Sequence, residues 1–360
     1  VANIARTSRK PLPLAECIDE RSFVNGIVAL LASGGSTNLC IHMVAIARAA
    51  GLIITWSDFD SLSRVTPLLA QIYPNGSADI NHFHAAGGTG LLFRELVDQG
   101  LMQPDAKVCF GGQLGDTCVE PFLDGNILCW RDSPRESLDT EVIRAAKNPF
   151  SSEGGIRLLS GNLGRSLVKS SAVSLNRHYI EAPAVVISDQ DELKVLFDQG
   201  LLDRDCVIVV QFQGPSANGM PELHKLMPIL GVLQDRGHAV ALVTDGRLSG
   251  ASGKVPCAIH VTPEAFKGGN IGRIVNGDIV VLDIATGHLD VLVDDEVLAA
   301  RREPEMPAQT DTVGRRLFIS SRGKVSDAEN GGSSLFGKAV YESKSKASNA
   351  PEFELEHIGT

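Results

Sequence analysis

The stretch HAVALVTDGRLSGASG, residues 238–253, decides how the fold is read. Its first half is a short apolar run and its second half is built of small residues. That pattern predicts a buried strand ending in a permissive turn, and the turn carries Asp245, Arg247 and Ser249. Similar runs recur on both sides, at residues 184–188, 207–212, 258–261, 279–284 and 289–293. The pair VVLDI-ATGH-LDVLV predicts a hairpin, with Gly287 supplying the unusual backbone angle. Helical spacing at residues 192–198 and 222–234 places helices among the strands. This half predicts a closed or sandwiched β-structure with a few helices on its side.

Upstream the texture is helical. Residues 23–31 and 39–50 carry apolar side chains at helical spacing, with Gly51 as the stop, and residues 91–99 repeat the pattern before Gly100. Short strand-like pieces follow at 108–110 and 127–130. The glycine- and serine-punctuated GGIRLLSGNLGRSLVKSSAV, residues 154–173, is expected to cross between two domains. Residues 337–360 are polar without an apolar period and predict a disordered tail or vector-derived read-through.

The 360 residues are 43% hydrophobic and 21% charged, enough for two domains with sizeable cores. A net charge of −10 argues against a nucleic-acid partner. No apolar run reaches membrane-spanning length, and no leader-like apolar segment opens the sequence. Its first residue is Val1 rather than Met, so the expected start is internal to a longer product. The seven cysteines, Cys17, Cys40, Cys109, Cys118, Cys129, Cys206 and Cys257, are odd in number and contain no CxxC pair. Reduced thiols in a cytoplasmic protein fit better than a disulfide framework or a zinc ribbon.

Three small-residue loops, SGGSTN (33–38), AAGGTG (85–90) and GPSANGMPE (214–222), are each expected to open a helix. Free N–H groups at a helix start favour carboxylate or phosphate. Ser36 and Thr37 are therefore either helix caps or, with Asn38, anion ligands. None of the loops ends in the Lys-Ser/Thr of an ATP-binding loop. Glu222, after Pro221 in an expected first helical turn, is either a helix-start carboxylate or a ligand for a hard metal ion. His82 and His84, two apart in DINHFH, suit a strand or loop, and no third ligand completes a zinc spacing. Ser249 lacks a GxSxG context. To act as a base it needs a neighbouring cation or metal, and Arg247 is the nearest cation in sequence.

Taken together, VALVTDGRLSGAS (240–252), GGSTN (34–38) and GMPE (219–222) resemble the dihydroxy-acid and sugar-acid dehydratase family. Within it, YPNGSADINHFHAAGG (73–88) and GRLSGASGKVPCAIHVTPEA (246–265) are most similar to the branch that acts on a phosphorylated sugar acid. The resemblance covers residues 17–336. It implies dehydration of 6-phospho-D-gluconate to 2-keto-3-deoxy-6-phosphogluconate, with related dihydroxy-acid or sugar-acid substrates as the alternative. A non-catalytic anion-binding fragment is the alternative of a different class. The resemblance further implies a [4Fe–4S] cluster, whose iron acts on the leaving hydroxyl, and Mg²⁺ or Mn²⁺. Ser249 falls on the family's proton acceptor and Glu222 on a metal-binding glutamate. Arg247, Lys254 and the Ser36–Thr37–Asn38 loop are the expected substrate-binding residues, with Arg165 and Lys169 as further phosphate candidates or simply solvated charges. The family's cluster cysteines, its other metal-binding acids and a metal-bridging lysine would precede residue 1. The expectation is that this chain has no cluster ligands and is inactive alone. A homodimer is also implied. The expected fold is α/β: a helix-rich part (1–155), the remnant of an α/β domain, then a β-rich domain of the swivelling β/β/α type (156–336).

Overall fold

The computed structural model describes residues 11–248, 254–302, 305–308 and 313–335. The chain opens with five helices: α1 (Glu20–Ser33), α2 (Leu39–Ala49), α3 (Trp56–Ser63), α4 (Ile80–Ala85) and α5 (Gly88–Asp98). Asp19 caps α1 through a reciprocal pair with Ser22, and Gly34, left-handed at φ 61°, ends it. A two-stranded antiparallel ribbon follows, β1 (Val119–Asp124) with β2 (Ile127–Asp132). The expected strand at 108–110 is absent: Gly111 N donates to Val108 O and Val108 N to Gly112 O, so glycines at positive φ fold this piece into a turn.

The rest of the described chain is built on eight strands: β3 (Ile156–Gly161), β4 (Gly164–Lys169), β5 (Tyr179–Ile187), β6 (Cys206–Val210), β7 (Val240–Thr244), β8 (Cys257–Thr262), β9 (Ile279–Asp283) and β10 (His288–Val291). They close into a barrel in the order β10-β3-β4-β8-β7-β6-β5-β9. The run β5-β6-β7-β8 is parallel, while β3-β4, β4-β8, β5-β9 and β9-β10 pair antiparallel. The expected hairpin at 279–293 is β9–β10. The stretch expected to cross between domains instead forms the β3–β4 hairpin, because its glycines sit at the tip, Gly161 opposite Gly164, and leave the apolar residues to pair.

Burial explains why the parallel strands read as unbroken apolar runs. In β6, Val207 and Val209 face the barrel interior with Leu159, Val168, Ala241, Val243 and Leu282. Their neighbours Cys206, Ile208 and Val210 face outward under α6 (Gln190–Asp198) and α7 (Leu226–Asp235), against Leu193, Leu226, Leu230 and Leu233. Both faces are covered, so alternation of polarity disappears. On the other flank, Ile156 and Leu167 pack outward on Phe23, Ile27, Trp56 and Phe59 of the opening helices. That seam between the helices and β3, β4 and β8 is where the chemistry-bearing residues gather. Helix α8 (Asp295–Ala300) and helix α9 (Val313–Arg322) complete the described elements.

Candidate functional site

The strand β7 delivers Asp245 to a fully buried position beyond its last residue. There Asp245 accepts through Oδ1 from Gln213 N (2.8 Å) and through Oδ2 from Ala265 N (3.0 Å). Glu264, also buried, accepts from Ser216 N and Ala217 N. Burial, with the Glu264 carboxylate adding to it, raises Asp245 to about 7, and the backbone donors pull the other way. Both carboxylates are consumed in holding backbone. They tie the 213–217 loop and the 263–265 turn to the end of β7, and Asp245 is a strut rather than a free base. A Cβ on Gly214 would collide with Glu264, so the loop passes only as glycine.

This corner carries the next two residues of interest. Glu222 and Arg247 pair as an isolated parallel bridge, and Leu223 N donates to Arg247 O. Arg247 Nε donates to Met220 O (2.6 Å), and its Nη1 lies 3.5 Å from Glu222 Oε2. Sequence reasoning put Glu222 in the first turn of a helix. The structure corrects this: α7 begins at Leu226, because the main chain at 222–223 is committed to pairing with Arg247. The GPSANGMPE loop accordingly does not open a helix directly. Glu222 Oε1 is buried and has no hydrogen-bond partner among the described residues.

Beside this pair stands His260, which sequence reasoning did not single out. Strand β4 pairs Arg165 with Thr262 and Leu167 with Ile259, so His260 and Val261 together oppose Ser166. The bulge sets His260 at φ 61° and turns its ring toward Trp56, centroids 6.1 Å apart. His260 is fully buried, and neither ring nitrogen has a partner among the described residues; Trp56 Nε1 is equally unpartnered. Burial first, then the nearby Arg247 and His42 charges, depress its pKa to about 3, so the imidazole is neutral. Among the described residues, Phe212, Met220 and His260 are the non-glycine residues at positive φ, and all three flank this corner. Backbone strain collects where side chains must be aimed.

The SGGSTN loop lies at the far end of the same seam. Asn38 occupies the cap position of α2 without a side-chain cap bond. Ser36 Oγ accepts from Asn38 N (3.3 Å), Thr37 is buried, and Asn38 Oδ1 is buried without a partner among the described residues. Neither hydroxyl caps the helix in the ordinary way. Lys169, expected as a possible solvated charge, is only 6% exposed and donates from Nζ to Gly34 O (2.7 Å). Burial lowers its pKa to about 8.

Other expectations fall elsewhere. Ser249 lies outside the described residues, as does the 337–360 stretch; Lys254 is exposed. Arg165 is a partly exposed charge that donates to Ser57 Oγ (2.9 Å) and pairs with Glu329 (3.2 Å). His82 and His84 lie on α4 rather than on a strand or loop, because Asp79 accepts from Asn81 N and His82 N and starts a helix. For Lys169 the one signal in the sequence was its place directly after the apolar pair Leu167–Val168. For His260 no local signal existed, since the bulge depends on the partner strand.

The two cofactors the resemblance implies fit unequally. Glu222 Oε1, buried and unpartnered, is a hard oxygen of the kind Mg²⁺ or Mn²⁺ takes. A cluster held by cysteine thiolates does not fit the cysteines described here. Burial raises the Cys40 and Cys257 thiols and pushes Cys206 up to about 11, and Cys17 and Cys118 are raised as well. Among the described residues no three His, Cys, Asp or Glu side chains converge as a metal site.

Comparison with known proteins matches this arrangement to two family profiles. One, described as dihydroxy-acid/6-phosphogluconate dehydratase N-terminal, matches residues 1–117; the other, the C-terminal counterpart, matches residues 141–332. The chain is 55% identical over 322 residues to the phosphogluconate dehydratase of Escherichia coli (strain K12), covering 89% of this chain and 53% of that protein. It is 53% identical to that of Pseudomonas aeruginosa, covering 90% and 54%. The dihydroxy-acid dehydratase of Nitratidesulfovibrio vulgaris is 36% identical, covering 87% and 54%. The chain therefore spans about half the length of the curated relatives it matches. With both profiles matched in order, the second of them containing Glu222 and Arg247, the chain belongs to the dihydroxy-acid/6-phosphogluconate dehydratase family.

Proposed function

We propose that this chain serves a 6-phosphogluconate dehydratase, a hydro-lyase that removes water from 6-phospho-D-gluconate to give 2-keto-3-deoxy-6-phosphogluconate in the Entner–Doudoroff pathway. The observation that carries this reading is the gap in identity between relatives. Phosphogluconate dehydratases match at 44–55%, against 36% for the dihydroxy-acid dehydratase.

Removing the proton next to a carboxylate drives negative charge onto that carboxylate, and a divalent cation there supplies the compensating charge. Glu222 would hold the cation through its free Oε1. Arg247, anchored on Met220 O, holds the other carboxylate oxygen and so fixes which oxygen faces the substrate. In this reading Ser249, two residues beyond Arg247, acts as its alkoxide and accepts the C2 proton as the C3 hydroxyl departs; the enol then becomes the keto acid. Arg247, Lys254 and the Ser36–Thr37–Asn38 loop contribute substrate contacts. No step is assigned to a cluster, since the described cysteines do not fit one.

We further read residues 156–336 as the swivelling β/β/α domain, supported by the barrel with α6 and α7 on its parallel flank. Residues 1–155 are the end of the preceding α/β domain. The assembly is read as a cytoplasmic homodimer, with the seven cysteines unpaired. No described helix is long and apolar enough to cross a membrane.

The test is a turnover assay with 6-phosphogluconate, gluconate and 2,3-dihydroxyisovalerate, on this chain and on a protein of the relatives' full length that contains it. The expected result is preference for the phosphorylated acid in the longer protein, no turnover by the chain alone, and a strong loss in Ser249→Ala with the fold intact. Equal turnover of all three acids rejects the substrate assignment.

A further inference from the structure

Strands β5 and β6 are parallel neighbours, and their carboxyl ends open into a cleft of about 600 Å³. Ligand sites in α/β proteins gather at this end of parallel strands, and the volume suits a small molecule. Ser188 and Asp189 line the cleft just after β5, and Phe212 and Gln213 just after β6. Asn218 enters from the GPSANGMPE loop and Arg315 from α9, while residues 306–308 form the outer wall. Phe212 holds φ 61°, a conformation that costs energy in a residue with a Cβ.

A relay of amides fixes what the cleft offers. Ser188 O can only accept, so Gln213 turns its Nε2 toward it (2.6 Å). Gln213 Oε1 then accepts from Asn218 Nδ2 (2.9 Å). What remains is Asn218 Oδ1, buried and without a partner among the described residues. A buried acceptor of this kind is costly unless something donates to it. Arg315 uses Nη1 on Asn218 O (3.4 Å), and among the described residues no carboxylate pairs with it. A guanidinium has donors to spare after one such contact. Asp189, whose Oδ1 accepts from Asp191 N and so closes the start of α6, sets a negative charge against Arg315. One cation, one carboxylate and one lone amide oxygen do not suit a bare inorganic anion. They suit a molecule with an acid group for Arg315 and hydroxyls that donate to the two acceptors.

We propose that this cleft binds a polyhydroxylated acid, with its acid group on Arg315 and a hydroxyl on Asn218 Oδ1, and that it does so without a metal ion. The site stands on its own groups and does not require the function proposed above. Asn218 and Glu222 belong to one loop and are at most about 14 Å apart, the reach of four residues. An occupant bonded to Asn218 therefore braces the loop that carries Glu222.

Isothermal titration of the 360-residue chain with gluconate, in EDTA so that no cation at Glu222 contributes, tests the site without requiring turnover. The expected result is binding that weakens about tenfold or more in Arg315→Met and in Asn218→Leu, the loss typical of one charge-assisted or buried contact, and only a few-fold in Arg315→Lys. Hexanoate, an acid without hydroxyls, and inorganic phosphate should each bind about tenfold or more weakly than gluconate. Should either variant fail to fold, hydrogen exchange on the unaltered chain decides: gluconate should slow exchange across residues 212–219. Absence of gluconate binding in EDTA, unchanged affinity in folded Arg315→Met, or no slowing at 212–219 overturns the site. Hexanoate or phosphate binding as tightly as gluconate overturns the assignment of a polyhydroxylated acid.

Discussion

The barrel interior and the seam beneath the opening helices both bury side chains and are chemically opposite. Inside the barrel, Leu159, Val207, Val209, Val243 and Leu282 fill the space with apolar groups that leave nothing to satisfy. In the seam, the His260 ring nitrogens, Trp56 Nε1 and Glu222 Oε1 are buried without partners among the described residues, and Lys169, 6% exposed, donates to Gly34 O. Burial in the first region stabilises at roughly 25 cal/mol per Å² of apolar surface. Burial in the second opposes stability, because each unpaired polar group there has given up its water. The interior is built for folding and the seam for something the fold alone does not require.

Four substitutions sharpen this contrast. The largest effect is expected for Val209→Asp, which puts a charge on the interior face of β6 with no counter-charge. It should abolish the cooperative thermal transition, as followed by circular dichroism. Leu159→Ala leaves a cavity in the same interior and should lower stability by ~2–5 kcal/mol in urea unfolding.

The seam should respond with the opposite sign. His260 has its pKa depressed to about 3 in the folded state against an ordinary 6.5. Between those values the unfolded chain binds the extra proton. Stability from this residue is therefore complete above about pH 6.5 and is lost as the pH falls toward 3, by on the order of a few kcal/mol. His260→Phe should remove that acid-side slope while leaving stability at pH 8 equal or higher; an unchanged slope in urea titrations from pH 4 to 7 would contradict the assignment. The smallest stability effect is expected for Glu222→Gln. Its pair with Arg247 is partly exposed and worth no more than about 1 kcal/mol. In a full-length protein the same change should lower turnover by orders of magnitude, and that split between stability and activity is the mark of a ligand carboxylate. A fall in stability matching that of Leu159→Ala would instead make Glu222 part of the framework.

Much of the framework was legible in the residues. Strands β5–β10 and helices α1, α2, α5 and α6 lie where apolar periodicity put them, since those patterns are local. Failures occurred where distant chain intervened. Glu222 was drawn out of its expected helix by Arg247. The His82–His84 pair was read by spacing alone, while the Asp79 cap that makes it helical is a side-chain bond. Lys169 was left between a phosphate candidate and a solvated charge because nothing nearby in sequence reveals that its Nζ reaches Gly34 O at the end of α1.

The sequence by itself determined the family, through GGSTN, GMPE and VALVTDGRLSGAS, and most of the strands and helices, because motif identity and periodicity need no knowledge of partners. Only the tertiary structure decided that the strands close into a barrel, that Asp245 is a strut, that a bulge turns His260 onto Trp56, and that Lys169 and Asn75 share one carbonyl. Those features depend on strand pairing and burial between segments tens to more than a hundred residues apart, where the energy of a side chain is set by what covers it.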